Sequence, residues 1–161
     1  MSQPTNHSTN KKDERSVQSR NTWSGIMFGI GLVAFMDEAV FHQILHWHHF
    51  YDKTTTAMGL VSDGIFHSFS WFATVAGLFM VAGLRRQLAW LPRNWLAGLL
   101  VGAGGFQLYD GTIQHKLMGL HQIRYDVNIF PYDMVWYITS IIILVLGIIL
   151  MIKSKRRTGA T

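Results

Sequence analysis

The sequence predicts an all-α integral membrane protein, a four-transmembrane-helix bundle built from two tandem helical-hairpin repeats. Three observations lead to this fold class. The charges gather near the ends of an otherwise apolar chain, four apolar segments are long enough to span a bilayer, and glycine, aspartate and histidine residues recur at a fixed interval.

The composition favours a membrane protein over other classes. Of the 161 residues, 49% are hydrophobic and only 14% are charged, and residues 1–22 and 153–161 hold many of these charges. The net charge of +5 does not indicate a nucleic-acid partner, because the basic residues flank apolar segments, as they do where they set membrane orientation. The chain has no cysteine, which excludes a disulfide, a thiolate metal site and a cysteine nucleophile.

Four segments meet the requirement of about 20 mainly apolar residues for one span. The polar residues 1–22 predict a disordered cytoplasmic tail, residues 23–152 predict the transmembrane domain, and residues 153–161 predict a basic cytoplasmic tail. The four predicted spans cover residues 23–45, 63–84, 95–118 and 132–152.

The basic residues predict the orientation of the spans. Lysine and arginine are abundant in the N-terminal tail, in the second loop (Arg85, Arg86 and Arg93) and at the C-terminus, and they are sparse in the first and third loops. Because cytoplasmic flanks carry the excess of these residues, we expect both termini in the cytoplasm and the first and third loops outside.

An internal repeat links the two halves of the chain, residues 23–86 and 95–156. In the first part of each half, equivalent residues are 73 positions apart; in the second part, they are 70 apart. The glycine pairs also predict close helix packing through small residues. The matched pairs are Gly25–Gly98, Gly29–Gly102, Gly31–Gly104, Asp37–Asp110, His42–His115 and His48–His121, then Asp63–Asp133, Ser70–Ser140 and Gly77–Gly147.

Histidines and carboxylates gather in the predicted outer half of the bundle. The spacing of Glu38, His42, His46 and His49 places them on one face of a helix. Asp37 and His48 fall on other faces, about 16 Å apart on a straight helix, so we expect them not to share one ion.

A divalent transition metal explains these groups, because it accepts neutral imidazole nitrogens and neutralises carboxylates that are costly in a bilayer. Ligands without cysteine suit Zn, Fe, Cu or Mn, as one ion or two. Asp37, Asp110 and Asp133 are predicted to orient the ligands or to form an inner acidic site. The candidate ligands are His42, His46, His49, His67, His115, His121, Glu38 and Asp63.

Several stretches resemble a bacterial membrane family catalogued as domain of unknown function 2243. They are GIGLVAFMDEAVFHQILHWHH, SDGIFH at 62–67, YDGTIQHKLMGLHQIR at 109–124 and PYD at 131–133. The resemblance implies a four-span protein of the bacterial plasma membrane, with no assigned reaction. This chain has Gln122 where the family pattern has a second histidine, so a metal site need not be symmetric.

The sequence leaves the use of the metal open. An enzyme would use it to activate water or dioxygen, whereas a binding protein would store, deliver or sense it. One alternative is a protein that binds haem through two histidines, although haem is less favoured than a metal ion as the cofactor. Another is a proton or ion pathway lined by Asp37, Glu38 and Asp110. The expected partners are the lipid bilayer and either a second copy of the chain or another membrane protein.

Overall fold

The structure, a computed structural model, describes residues 7–158, with side chains for residues 11–154. Throughout this range the regular structure is helical and no strand occurs. Two of the α-helices, α1 and α3, continue directly into π-helical segments, Glu38–Ile44 and Asp110–Leu117. The α-helices are α1 (His7–Asp37), α2 (Thr56–Arg86), α3 (Pro92–Tyr109) and α4 (Phe130–Thr158).

Three helical segments within the described residues are long and apolar enough to cross a membrane. They cover Lys11–Ile44, Thr56–Arg86 and Phe130–Ser154. The α3 helix has only 18 residues and is not among them. The prediction of four spans therefore stays a prediction.

The outer surface of the bundle is rich in large apolar side chains. Leu78 and Phe79 on α2, and Val135 and Ile142 on α4, are exposed, and Phe79 reaches 72% exposure. A bundle with such a surface is suited to contact with lipid, because water would penalise a continuous apolar surface of this extent. The surface thus supports the membrane assignment independently of helix length.

The helices pack in the spatial order α2, α1, α3, α4. The central pair is α1 and α3, with α2 against α1 and α4 against α3. Within residues 7–158, the backbone of α1 does not approach that of α4, and the backbone of α2 does not approach that of α3. The bundle therefore leaves a gap on each side of the central pair.

Glycines allow α1 and α3 to approach closely. A Cβ atom at Gly25 or Gly29 would overlap backbone atoms of α3, and one at Gly98 or Gly102 would overlap backbone atoms of α1. The contacts correspond: Gly25 lies against Trp95, and Gly98 lies against Thr22, which is 73 positions before Trp95. The close packing expected of these glycine pairs is confirmed.

The predicted disordered tail is wrong over residues 7–22, which belong to α1. The buried side chain of Asn21 helps to hold this part of the helix in place. Its amide nitrogen donates to the Ala89 carbonyl, and its amide oxygen accepts from the Leu91 backbone N–H, each at 2.8 Å. Residues 1–6 lie outside the described part of the chain, as do residues 159–161 of the predicted C-terminal tail, whose start continues α4.

Candidate metal centre

Each π-helical segment ends its helix and turns the chain back toward the bundle. In the first, the Trp47 N–H donates to the Phe41 carbonyl; in the second, the Leu120 N–H donates to the Gln114 carbonyl, both at 2.9 Å. The turns contain residues of positive φ at equivalent positions, His46 at 50° and Gly119 at 55°. The residues after each turn therefore approach the helix that precedes it.

These turns gather four buried histidines, which we call the central histidine cluster: His42, His48, His115 and His121. The rings of His42 and His48 lie 4.4 Å apart between centroids, and those of His115 and His121 lie 4.5 Å apart. His48 and His121 join the two halves, with nearly parallel rings 4.6 Å apart. The cluster thus combines two residues from each half of the chain.

Three of the four imidazoles are held through Nδ1. His48 Nδ1 lies 3.0 Å from the Ile123 carbonyl, and His121 Nδ1 lies 2.9 Å from the Phe50 carbonyl. His42 Nδ1 lies 3.0 Å from Asp63 Oδ1. Because each acceptor requires a proton on Nδ1, these contacts leave the Nε2 lone pairs free.

The four Nε2 atoms share one further property. They are buried, and within residues 7–158 none of them has a hydrogen-bond partner. Buried polar atoms without a partner are rare and costly, and four in one cluster call for a ligand. Imidazoles held through one nitrogen, with the other nitrogen free, are typical of metal ligands.

An aspartate from each half faces the cluster. Asp110 Oδ2 lies 2.9 Å from His115 Nε2, yet neither atom has a partner in hydrogen-bond geometry. Asp37 Oδ2 lies 3.7 Å from His42 Nε2. Two ligands at about 2.0–2.1 Å from one tetrahedral ion lie about 3.3 Å apart, so these separations are compatible with shared ions.

The residues form two equivalent triads. In each, one potential ligand atom per residue lies within 4.8 Å of the others, and all members are buried. Every residue of the first triad is 73 positions before its counterpart. The triads are Asp37, His42 and His48, and Asp110, His115 and His121.

Two further carboxylates, those of Glu38 and Asp63, lie beside the first triad. Asp63 contacts His42 and also His49, whose Nδ1 lies 2.6 Å from Asp63 Oδ2. Glu38 Oε2 lies 2.8 Å from His42 Nδ1, and the other oxygen of Glu38 accepts from Gln43. Glu38, His42 and Asp63 form a third group whose ligand atoms are close enough to hold an ion.

The second half lacks this arrangement. The counterpart of Glu38 is Gly111, and the counterpart of His49 is Gln122. Asp133, the counterpart of Asp63, forms an ion pair with Lys116 at 2.6 Å. The two triads therefore contain the same residue types, but the groups that surround them differ.

The predicted helical face is wrong beyond Ile44, where the helix ends. His48, expected to lie far from Asp37, belongs to the same triad, and His46 is exposed at the turn. His67 is exposed too, with its ring 5.7 Å from that of Phe35. The assumption of a straight helix caused these errors, while the 73-residue interval had already paired His48 with His121.

A small cleft with several polar residues lies beside the cluster. It encloses about 180 Å³ and is lined in part by His46, His48, His49 and Asp52.

Burial, followed by the charge of His115, lowers the pKa of His121 to about 4. Burial also lowers the pKa of His48, so both loop imidazoles are neutral at physiological pH, the form that binds metals.

The fold and this cluster define a class: a helical membrane protein with a buried histidine–carboxylate centre. The family described as "Predicted membrane protein (DUF2243)" matches residues 24–154, so the chain belongs to that family, as its motifs predicted. No curated protein matches the chain. No solved structure matches it either.

Proposed function

We propose that this chain is a metal-binding membrane protein with one or two transition-metal ions in the central histidine cluster. The observation that carries the proposal is the set of four buried Nε2 atoms without a hydrogen-bond partner among the described residues, two of which face aspartates. Each triad offers three ligands, which is the number of protein ligands in many catalytic sites that keep a further position open. Zn, Fe, Cu and Mn all suit these nitrogen and oxygen ligands.

The packing of the cluster favours a small ion over haem. The two axial histidines of a haem point their Nε2 atoms at the iron from opposite faces of the macrocycle, whereas the rings of His48 and His121 stack face to face 4.6 Å apart, with no room for a macrocycle between the two residues. An ion pathway through Asp37 and Asp110 is the second candidate, supported by the burial of both carboxylates in helical segments. A metal ion accounts for more of the site, because an ion pathway does not require four clustered imidazoles.

Elemental analysis and an optical spectrum of the protein purified in detergent test the proposal. We expect about one or two transition-metal ions per chain and no Soret band. A Soret band would establish haem instead. If reconstitution with Zn, Fe, Cu and Mn leaves the protein without metal, the proposal is wrong and the ion pathway is favoured.

Asp63→Asn should weaken metal binding by about 10–100-fold, the usual cost of removing a carboxylate that orients a metal-bound imidazole. Asp63 holds His42 through Nδ1, and the amide is a weaker acceptor. Competition with a chelator of known affinity measures the effect. Asp133→Asn is the matched control, because Asp133 pairs with Lys116, and equal losses in the two variants would contradict this role of Asp63.

We propose further that the chain has four spans in two duplicated hairpins, residues 23–86 and 95–156, with both termini in the cytoplasm of a bacterium. The equivalent triads and glycine contacts support the duplication. The basic residues at both ends of the chain and in the second loop support the orientation. A homo-oligomer or a complex with another membrane protein stays a prediction.

Single cysteines test this topology, since the chain has none. An impermeant thiol reagent added to intact cells should label Thr55→Cys and Asn128→Cys and leave Ser16→Cys and Thr158→Cys unlabelled. Permeabilised cells provide the control, in which all four variants should react. Labelling confined to Ser16→Cys and Thr158→Cys would reverse the topology, and opposite results for Thr55→Cys and Asn128→Cys would exclude four spans.

The use of the metal is also a proposal. The ligands suit metal-dependent redox or hydrolytic chemistry, in which the ion polarises a substrate or activates water. They equally suit storage, delivery or sensing of the metal, for which the polar cleft beside His48 provides a route from outside. Exchange of bound metal for an isotope added to the outer side would favour metal handling.

A further inference from the structure

A large apolar cavity lies in the gap between α1 and α4. It encloses about 700 Å³, within the range of sites for small ligands. Four aromatic residues line it, Phe41, Trp47, Tyr132 and Trp136. The aromatic lining is suited to a flat ring.

The cavity adjoins the candidate metal centre. Asp37, a member of the first triad, lines it, and so does Ile123, whose carbonyl holds His48. Gln107 is a further polar residue of the lining, and Tyr132 accepts a hydrogen bond from Arg124 at 2.6 Å. A molecule in the cavity therefore has a few polar partners at the end near the cluster and apolar walls elsewhere.

The equivalent place on the other side of the bundle is filled by aromatic rings. Four phenylalanines stack there, with centroids 4.8–6.5 Å apart. Three of their counterparts beside the cavity are smaller side chains, and the fourth is Trp136. The pairs are Phe50 with Ile123, Phe69 with Thr139, Phe106 with Val33, and Phe66 with Trp136.

This asymmetry indicates a binding site rather than a packing defect. The cavity is open on one side, so it is accessible to a molecule in the bilayer and is not a void sealed in the protein interior. The same fold fills the equivalent gap with phenylalanine, so the space beside Asp37 was not imposed by the backbone. Met36 and Val135 on the rim of the cavity are exposed, so a molecule dissolved in the bilayer can reach it from the side.

We propose that the cavity binds a lipid-soluble phenol or quinol, whose hydroxyl donates a hydrogen bond to the Asp37 carboxylate beside the metal centre. The aromatic lining accommodates the ring, the carboxylate accepts from the hydroxyl, and the apolar rim between α1 and α4 accommodates a hydrocarbon tail. The proposal deepens the proposed function, since it names the substrate class that would lie next to the ion. The cavity itself exists independently of the ion.

Quenching of tryptophan fluorescence by decylubiquinol, kept reduced under argon, tests the proposal, because Trp47 and Trp136 line the cavity. We expect saturable quenching in both metal-loaded and chelator-treated protein. Decylbenzene, which has a ring and a tail but no hydroxyl, should bind about tenfold or more weakly. Equal binding of decylbenzene would overturn the phenol or quinol specificity.

Filling the cavity provides the matched variant. The double variant Val33→Phe/Thr139→Phe introduces the rings found at the equivalent positions and should lower decylubiquinol affinity by about tenfold or more, with metal content unchanged. Phe106→Val, on the filled side, should bind as the wild type does. If the double variant does not fold, Thr139→Phe alone, at an exposed rim position, should still weaken binding.

The results separate the two proposals. Wild-type affinity in the folded double variant, or in Thr139→Phe if only that variant folds, would overturn the cavity site whatever the metal content is. Loss of quenching in Phe106→Val would also overturn it. Saturable binding of decylubiquinol to protein that never takes up metal would support the cavity site and reject the metal centre.

Discussion

Replacing His48 or His121 by alanine is expected to abolish tight metal binding and to remove the stabilisation that the metal provides. Loss of a residue that merely orients a ligand weakens metal affinity by about 10–100-fold, so loss of a ligand itself should exceed about 100-fold. The stability conferred by a bound ion falls with its affinity. Metal content after gel filtration, and melting temperature with and without added metal, measure the two effects.

His46→Ala and His67→Ala are the controls for this prediction. Both residues were candidate ligands by sequence, and both are exposed. Each control should keep the metal content and the metal-dependent rise in melting temperature of the wild type. Loss of metal in His67→Ala with retention in His48→Ala would move the site away from the central histidine cluster.

Gly102→Ala is expected to destabilise the bundle by about 2–3 kcal/mol, a value typical of overpacked interiors. The new Cβ would overlap the backbone of α1 at Ile26, and a backbone atom cannot move aside as a flexible side chain can. The central pair would have to separate, which would also disturb the triads at its end. Unfolding of detergent-solubilised protein by a denaturing detergent measures the change.

Gly105→Ala lies three residues further along α3 and serves as the matched control. A Cβ at Gly105 would meet no heavy atom within 4 Å. Because alanine favours the helix over glycine by about 0.5–1 kcal/mol, this variant should be as stable as the wild type or slightly more stable. Equal destabilisation by the two substitutions would show that the α1–α3 contact does not account for the effect of Gly102→Ala.

Much of the architecture is readable from the sequence because it depends on short-range patterns. The length of the apolar segments predicts the long helices. The glycine pairs predict the contact between α1 and α3, which is confirmed by the close approach of Gly25 to the backbone of Trp95. The third predicted span is different: α3 and its π-helical continuation form a helical stretch, but this stretch is not among the three described segments apolar enough to cross a membrane. The helical structure of residues 7–22 could not be predicted from the sequence either. It depends on a contact distant along the chain, in which Asn21 hydrogen-bonds to the backbone of Ala89 and Leu91.

The candidate site was readable in its residue types but not in its geometry. Helical spacing predicts which residues are neighbours only while the helix continues. Here the helix ends at Ile44, so His46 and His49 do not lie where the spacing predicts. The π-helical segments leave no clear sequence signal, since they arise where tertiary contacts outweigh one backbone hydrogen-bond pattern. The 73-residue interval was the more reliable guide, because it paired His42 with His115 and His48 with His121 without assuming a straight helix.

The two hydrogen bonds that hold His48 and His121 cross between the halves of the chain, each imidazole relying on a carbonyl of the opposite half. Neither half can therefore prepare its own ligand alone. Under this arrangement, metal affinity and the adhesion of the two halves are thermodynamically coupled, and the coupling is reciprocal. A tightly bound ion would therefore stabilise the association of the two halves. Conversely, anything that separates the halves, such as lipid, a partner protein or a molecule between α1 and α4, would lower the affinity for the ion.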